Sequence, residues 1–139
     1  VRILALDVGQ QRIGLAISDP LGTIAQPLGT IRRNDAPIEH IIQIVKDKEV
    51  SEIVVGLPVN MNGTSGQQAD EVHEFARLLA EQTDIPLVFI DERLTTVEAE
   101  KLMISADVKR RKRRQSIDSV AAAIILEKRL RNKDSRTPT

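Results

Sequence analysis

Between Arg2 and Asp7, and again between Glu52 and Leu57, the chain is apolar at consecutive positions, where a half-exposed strand would alternate. Successive side chains of a strand point to opposite faces, so a continuous apolar run needs cover on both. That requirement puts both runs in the middle of a sheet with helices above and below. The first run ends on a carboxylate, Asp7, which a central strand holds on rigid scaffold.

The flanking segments supply the rest of the layers. Residues 2–7 and 12–18 are joined by Val8-Gly9-Gln10-Gln11 and read as an antiparallel hairpin, with Gly14 marking a bulge or a close backbone approach. Asp19-Pro20-Leu21-Gly22 is a turn, and Thr23 to Ile31 is an edge-like third strand carrying Pro27 and Gly29. Ile38, Ile41, Ile42 and Val45 form one helical stripe, with Asn34 or Asp35 as cap and Pro37 in the first turn. Ser65 and Gln68 have capping-box spacing for a second helix to about residue 82, which buries Ala69, Val72, Ala76 and Leu79. Leu87 to Ile90 is a last strand. Thr95 with Glu98 opens a further helix to about residue 105, and Ser116 caps a final one with Ile117, Val120, Ala121, Ile124 and Ile125 inward. The order βββ-α-β-α-β-α-α predicts an α/β fold: a five-stranded mixed sheet, three antiparallel strands then two parallel, with helices on both faces. Residues 1–131 make one domain of ordinary size, and 132–139 read as a disordered tail.

Composition removes several chemistries. There is no cysteine, hence no disulfide, thiolate nucleophile or Cys-ligated metal. The only aromatics are two Phe, so nucleic-acid binding cannot depend on base stacking. No signal peptide and no run near the ~18 apolar residues of a membrane span is visible, and a cytoplasmic protein is expected. Twenty basic residues balance 20 acidic ones, but Lys109-Arg110-Arg111-Lys112-Arg113-Arg114 is wholly basic. Without those six, 14 bases face 20 acids. An acidic body with one dense basic loop suits a metal-binding site beside a segment that grips phosphate.

Acids fall at the ends of elements. Asp7 closes the first strand, Asp91 and Glu92 close the last, and Asp118 lies in the first turn of the final helix with Ala122 and Ile125 on its side. Parallel strands direct their carboxyl ends to one edge, where open sheets usually bind ligands. Carboxylates gathered there repel, and a hard divalent cation such as Mg²⁺ or Mn²⁺ relieves the repulsion. Two such ions about 4 Å apart clamp the attacking and leaving oxygens in phosphodiester hydrolysis. Each acid has a bland reading too: Asp7 as a turn residue, Asp118 as a dipole partner, Asp91 or Glu92 as a partner of Arg93. The glycines between Gly56 and Gly66 could serve a plain loop or a phosphate cradle at a helix N-terminus, and they do not match a P-loop. His40 and His73 lie inside helices away from the acids and read as ordinary surface or partly satisfied residues.

Asp7-Val8-Gly9 with Arg12-Ile13-Gly14, Gly56-Leu57-Pro58 with Asn62-Gly63-Thr64, Asp91-Glu92-Arg93-Leu94-Thr95-Thr96 and Ile117-Asp118-Ser119-Val120-Ala121-Ala122 together resemble the YqgF family over residues 1–131. These are bacterial proteins described as pre-16S rRNA nucleases and as Holliday junction resolvases. The resemblance implies an RNase H-like fold and a nuclease using Mg²⁺ or Mn²⁺. It matches Asp7 to the first-strand catalytic acid, Asp118 to the acid at the start of the last helix, and Glu92 to the acid of Asp-Glu-Arg. It implies that Arg12, Arg93, Thr95 and Thr96 order the substrate or the site, with Lys109 to Arg114 holding flanking phosphates. The activity implied is 5′-end processing of pre-16S rRNA, on structured RNA and with a pre-ribosomal particle as partner, in a monomer or weak homodimer away from membranes. The chain departs from the junction resolvases in having Gly56-Leu57-Pro58, with no acid, at the end of its fourth strand. Three rivals stand beside this reading. A resolvase acting on branched DNA needs a two-fold dimer, and a non-catalytic ribosome or transcription factor would carry vestigial acids. An actin-like ATPase shares the Asp-Val-Gly hairpin but needs two lobes, for which the chain is too short.

Overall fold

The computed structural model describes residues 2–57, 66–91 and 119–130. In chain order these form β1 (Arg2–Val8), β2 (Arg12–Ser18), β3 (Ala25–Arg32), α1 (Pro37–Asp47), β4 (Val50–Leu57), α2 (Gln67–Ala80) and β5 (Leu87–Asp91). A helix over 119–130, here α3, follows. The expected helix over 95–105, the cap at Ser116 and the tail lie outside the described residues.

The strands form one sheet in the order β3-β2-β1-β4-β5. β1 pairs antiparallel with β2 and β2 with β3; β1–β4 and β4–β5 are parallel. The two apolar runs therefore lie side by side at the centre, as their patterning requires. Ile3, Leu4, Ala5 and Leu6 are each at most 1% exposed. Alternation splits them between two cores. Leu4, Leu6, Val8, Ile53 and Val55 pack with Ile41 of α1 and Val72, Phe75 and Leu79 of α2 on one face. Ile3, Ala5, Ala16 and Val54 pack with Ala122, Ile125 and Leu126 of α3 on the other. Each fully buried Ile or Leu in these layers is worth about 1.5–3 kcal/mol relative to exposure, which is what fastens the helices to the sheet.

Local details correct two expectations. Neither Asn34 nor Asp35 caps α1: its N-cap is Ala36, in a left-handed conformation (φ 47°), with no side-chain cap bond and Pro37 at the first position. Pro37 brings no N–H, so one donor that a cap would satisfy is already missing. The N-cap of α2 is Gly66, again without a side-chain bond, and Ser65, the expected cap, lies outside the described residues. The bulge in the β2–β3 ladder falls between Leu15 and Ala16 instead of at Gly14, and Gly29 opposite Leu15 absorbs it with φ 125°. The turn at Asp19 forms as expected, with Gly22 N–H donating to the Asp19 carbonyl at 2.9 Å.

Candidate active site

Asp7 stands near the carboxyl end of the central strand β1. Its side chain shares a face with Ile3 and Ala5, by the period of two, so it points to the α3 side. On β2 its cross-strand partner is Gly14. On β4, continuing the register in which Leu6 pairs with Val55 puts Gly56 beside it. Both lateral neighbours of the half-buried carboxylate thus lack side chains. Gly14 and Gly56 leave bare backbone on either side of the acid, a floor around it.

One ion pair sets the direction of α3. Arg129 donates from Nε and Nη2 to the two carboxylate oxygens of Glu52 at 2.8 and 2.9 Å, and the two side chains are only 10% and 14% exposed. The Glu52 carboxylate holds the guanidinium proton more tightly than usual, raising the Arg129 pKa, while burial opposes that. Glu52 is near the start of β4, and Arg129 is in the last turn of α3. The helix therefore runs antiparallel to β1 and β4. Ten residues back from Arg129 is about 15 Å of helix; Glu52 to Leu57 is about 17 Å of strand. With Ala122, Ile125 and Leu126 packed among Ile3, Ala5 and Val54, the helix extends back from Arg129 over the sheet toward the end where Asp7 stands, and its first described residue, Ser119, is buried at 6% exposure. Sequence reading had no means of seeing this pair, because 77 residues separate its members.

Arg12 opens β2 and lies on the same face as Gly14 and Asp7. The turn that carries it is pinned at three points: Gly9 N–H to the Arg12 carbonyl, Arg33 N–H to the Gln11 carbonyl, both 2.9 Å, and Arg33 Nη1 to the Gly9 carbonyl, 2.8 Å. A side chain at Gly9 would meet the Arg12 carbonyl oxygen at 2.8 Å, which explains glycine there. Arg33 also lies over the Phe75 ring, 5.2 Å from its centroid, tying the turn to α2. The role of Arg33 was missed in the sequence.

Asp91, exposed at the end of β5, does not join Asp7. Leu87 packs into the α1/α2 core and Phe89 meets His73 of α2 at 4.7 Å between ring centroids, whereas Ile90 packs on the α3 side. Alternation turns Asp91 to the α2 side, away from Asp7. His40 and His73 are exposed, as expected. Glu92, Asp118, Arg93, Thr95, Thr96 and Lys109 to Arg114 lie outside the described residues. Among the described residues, no group of three or more His, Asp or Glu could hold a metal, and no helix is long and apolar enough to cross a membrane. β4 ends at Leu57 without an acid; its single carboxylate, Glu52, is at the far end and engaged by Arg129.

A mixed sheet in this strand order, with helices on both faces and an acid at the mouth of its first strand, defines an RNase H-like α/β protein. The solved structures agree: the chain superposes on Thermus thermophilus RuvC in complex with a Holliday junction substrate (TM-score 0.57, 13% identity, 96% of each chain). It superposes likewise on the fowlpox virus Holliday junction resolvase (TM-score 0.56, 9% identity, 95% of this chain and 99% of that one). At such identities the likeness is one of fold. Sequence goes further. The family model described as "RuvX: Holliday junction resolvase" matches residues 1–132. Two curated relatives named "Putative pre-16S rRNA nuclease" are 51% identical over 129 residues, in Moorella thermoacetica, and 52% identical over 130, in Thermoanaerobacter pseudethanolicus. Both alignments cover 91% of this chain, with 92% and 94% of the relative. The chain belongs to this YqgF/RuvX family, with an RNase H-like fold.

Proposed function

We propose that this chain is a divalent-metal-dependent nuclease that hydrolyses phosphodiester bonds in structured RNA, trimming the 5′ end of 16S precursor RNA in the cytoplasm. The observation that carries the reading is the Asp7 carboxylate on a floor kept bare by Gly14 and Gly56, on the face of the sheet that α3 covers. Asp118 precedes Ser119 in the chain, and the residues on its side of the helix, Ala122 and Ile125, are fully buried against the Asp7 face. Asp91 faces the α2 side, and the family resemblance matches Glu92, not Asp91, to the acid of the site.

The residues fit a hard cation. The donor at the floor is a carboxylate, and the glycines leave space for a hydrated ion. Asp7, Asp118 and Glu92 would hold one or two Mg²⁺ or Mn²⁺. Bound there, a divalent ion supplies a water of lowered pKa and offsets charge on the phosphate and leaving oxygen. The chain's own groups do the rest. Arg12 orients a phosphate beside Asp7 from its pinned turn. Arg93, Thr95 and Thr96 would order the same edge, and Lys109 to Arg114 would grip flanking phosphates without reading sequence. The names of the curated relatives favour RNA. The family description and the two resolvase folds favour branched DNA, and the acid-free end of β4 weighs against that second reading.

The test offers purified protein 5′-extended 16S precursor RNA and a four-way DNA junction side by side, with Mg²⁺, Mn²⁺ or EDTA. Metal-dependent cleavage of the RNA alone is expected. Junction cleavage alone moves the assignment to recombination, and cleavage of neither removes the nuclease reading for the isolated protein.

A further inference from the structure

An open groove of about 360 Å³ lies between α1 and α2, on the face of the sheet opposite to the one that Asp7 shares with α3. Its apolar lining is Ile38 and Ile42 of α1 and Leu78 of α2. Ile38 and Ile42 are one turn apart and only partly buried, at the edge of the α1 stripe. Leu78 stands outside the α2 stripe. Val72, Phe75, Ala76 and Leu79 recur at i, i+3, i+4 and i+7 and are buried, whereas Leu78, one residue before the last of them, is 38% exposed. Three large aliphatic side chains from two helices thus meet in a cleft open to solvent.

The cleft is set in an acidic layer. Glu39 and Glu81 line it, both exposed, and no lysine or arginine does among the described residues. The layer as a whole has the same sign: two acids to one base on α1, and four to one on α2 with its cap Glu81, in a chain with 20 of each. Arg77 bridges Glu74 and Glu81 at 2.6 and 2.8 Å, which offsets part of the charge on the α2 side. Glu39, on the α1 side, has no ion-pair partner among the described residues. Such a layer repels a polynucleotide and attracts a cationic protein surface. A groove between two helices accepts a third through apolar anchors three or four residues apart.

We infer that the α1–α2 groove docks a basic amphipathic helix of a partner protein. Its apolar face enters between Ile38, Ile42 and Leu78, and its lysines or arginines meet Glu39 and Glu81. A partner held there lies across the sheet from Asp7 and leaves that side open. The inference does not depend on the nuclease reading, because the groove and its charge belong to the opposite face.

Fluorescence anisotropy with a labelled amphipathic helical peptide of leucine and lysine, about 14 residues or four turns long, tests the docking on the full chain. A lysine-only peptide and a leucine–glutamate peptide of the same pattern serve as comparators. The variants are Leu78→Ala, Glu39→Lys and, as a distant charge control on α3, Glu127→Lys, with circular dichroism confirming that each is folded. The parent is expected to bind the leucine–lysine peptide saturably, and the lysine-only peptide at least about tenfold more weakly. Leu78→Ala lowers the affinity about tenfold, the loss of one apolar anchor. Glu39→Lys lowers it too and raises the affinity for the leucine–glutamate peptide, while Glu127→Lys leaves both unchanged. A parent that does not bind the leucine–lysine peptide, a Leu78→Ala variant that binds it as the parent does, or equal binding of the lysine-only peptide overturns the inference. Single-stranded RNA that displaces the peptide and loses affinity in Leu78→Ala overturns it in favour of a nucleic-acid occupant. Sedimentation showing a parent dimer that Leu78→Ala dissociates overturns it in favour of a second copy of the chain.

Discussion

Replacing Arg129 with Met asks whether α3 is held over the sheet by the pair it makes with Glu52. The perturbation removes two hydrogen bonds of 2.8 and 2.9 Å and leaves the Glu52 carboxylate, with a side chain 14% exposed, facing an apolar methyl. A hydrogen bond to a charged group is worth about 1.5–3 kcal/mol, and removing one partner of a fully buried ion pair costs about 3–5 kcal/mol. Some solvent still reaches both groups, so the expected loss is about 2–4 kcal/mol. At about 3 °C per kcal/mol for a chain of this length, the melting temperature falls by roughly 6–12 °C. Urea titration should show a lower midpoint with an unchanged m-value, the sign of lost stability without a changed denatured state. The double variant Glu52→Leu/Arg129→Met should recover most of the loss, because an apolar pair carries no stranded charge. Destabilisation of Arg129→Met below about 1 kcal/mol, or a double variant no better than the single one, would refute the claim that this pair fixes the helix.

Other consequences follow from single residues. The Asp19 carboxylate accepts the Ile24 N–H at 2.8 Å, the Thr23 N–H at 2.7 Å and the Thr23 hydroxyl at 2.9 Å, and these bonds, that of Ile24 foremost, lower its pKa to about 2. A lowered native pKa gives stability that is present above the unfolded value and disappears as pH falls through the native one. The parent should thus lose more stability than Asp19→Asn between about pH 4 and pH 2, and superimposable acid limbs would contradict this. Gly9→Ala drives a methyl to 2.8 Å from the Arg12 carbonyl, a backbone atom that gives way only if the turn shifts. Thermal unfolding should register a loss of about 1–3 kcal/mol. Ile125→Ala, at a site with 0% exposure on the Asp7 face, should cost about 2–5 kcal/mol by urea titration. Leu78→Ala, at a site 38% exposed, should cost within about 0.5 kcal/mol.

The architecture was legible because its central constraint is written locally. Ile3 to Leu6 and Ile53 to Val55 can only be central strands, and the helical stripes around them dictate cover on both faces. Asp7 and Gly14 lie on either side of the short turn between β1 and β2, so their pairing was implicit in the count of residues. What escaped is set by tertiary geometry. Residues of capping type at 34 and 35 could not reveal that the chain enters α1 through Ala36 in a left-handed conformation. Gly14 advertised a departure from regular strand but not its kind: it clears space beside Asp7, and Gly29 takes the bulge. Arg32-Arg33 was visible as a basic pair at a strand end. Only the β2–β3 register shows that Arg32 faces Arg12, and only folding brings Arg33 to Gly9 and Phe75. The Glu52–Arg129 pair left no local trace at all.

The central claim is that Asp7 is the floor of a divalent-metal centre shared with the N-terminal end of α3. Mn²⁺ titration followed by electron paramagnetic resonance addresses it directly, on parent, Asp7→Asn and Asp118→Asn, with circular dichroism confirming that each variant is folded. Saturable Mn²⁺ binding by the parent, displaced by Mg²⁺ and lost or strongly weakened in both folded variants, is the predicted result. A folded Asp7→Asn protein that binds Mn²⁺ as tightly as the parent would contradict it.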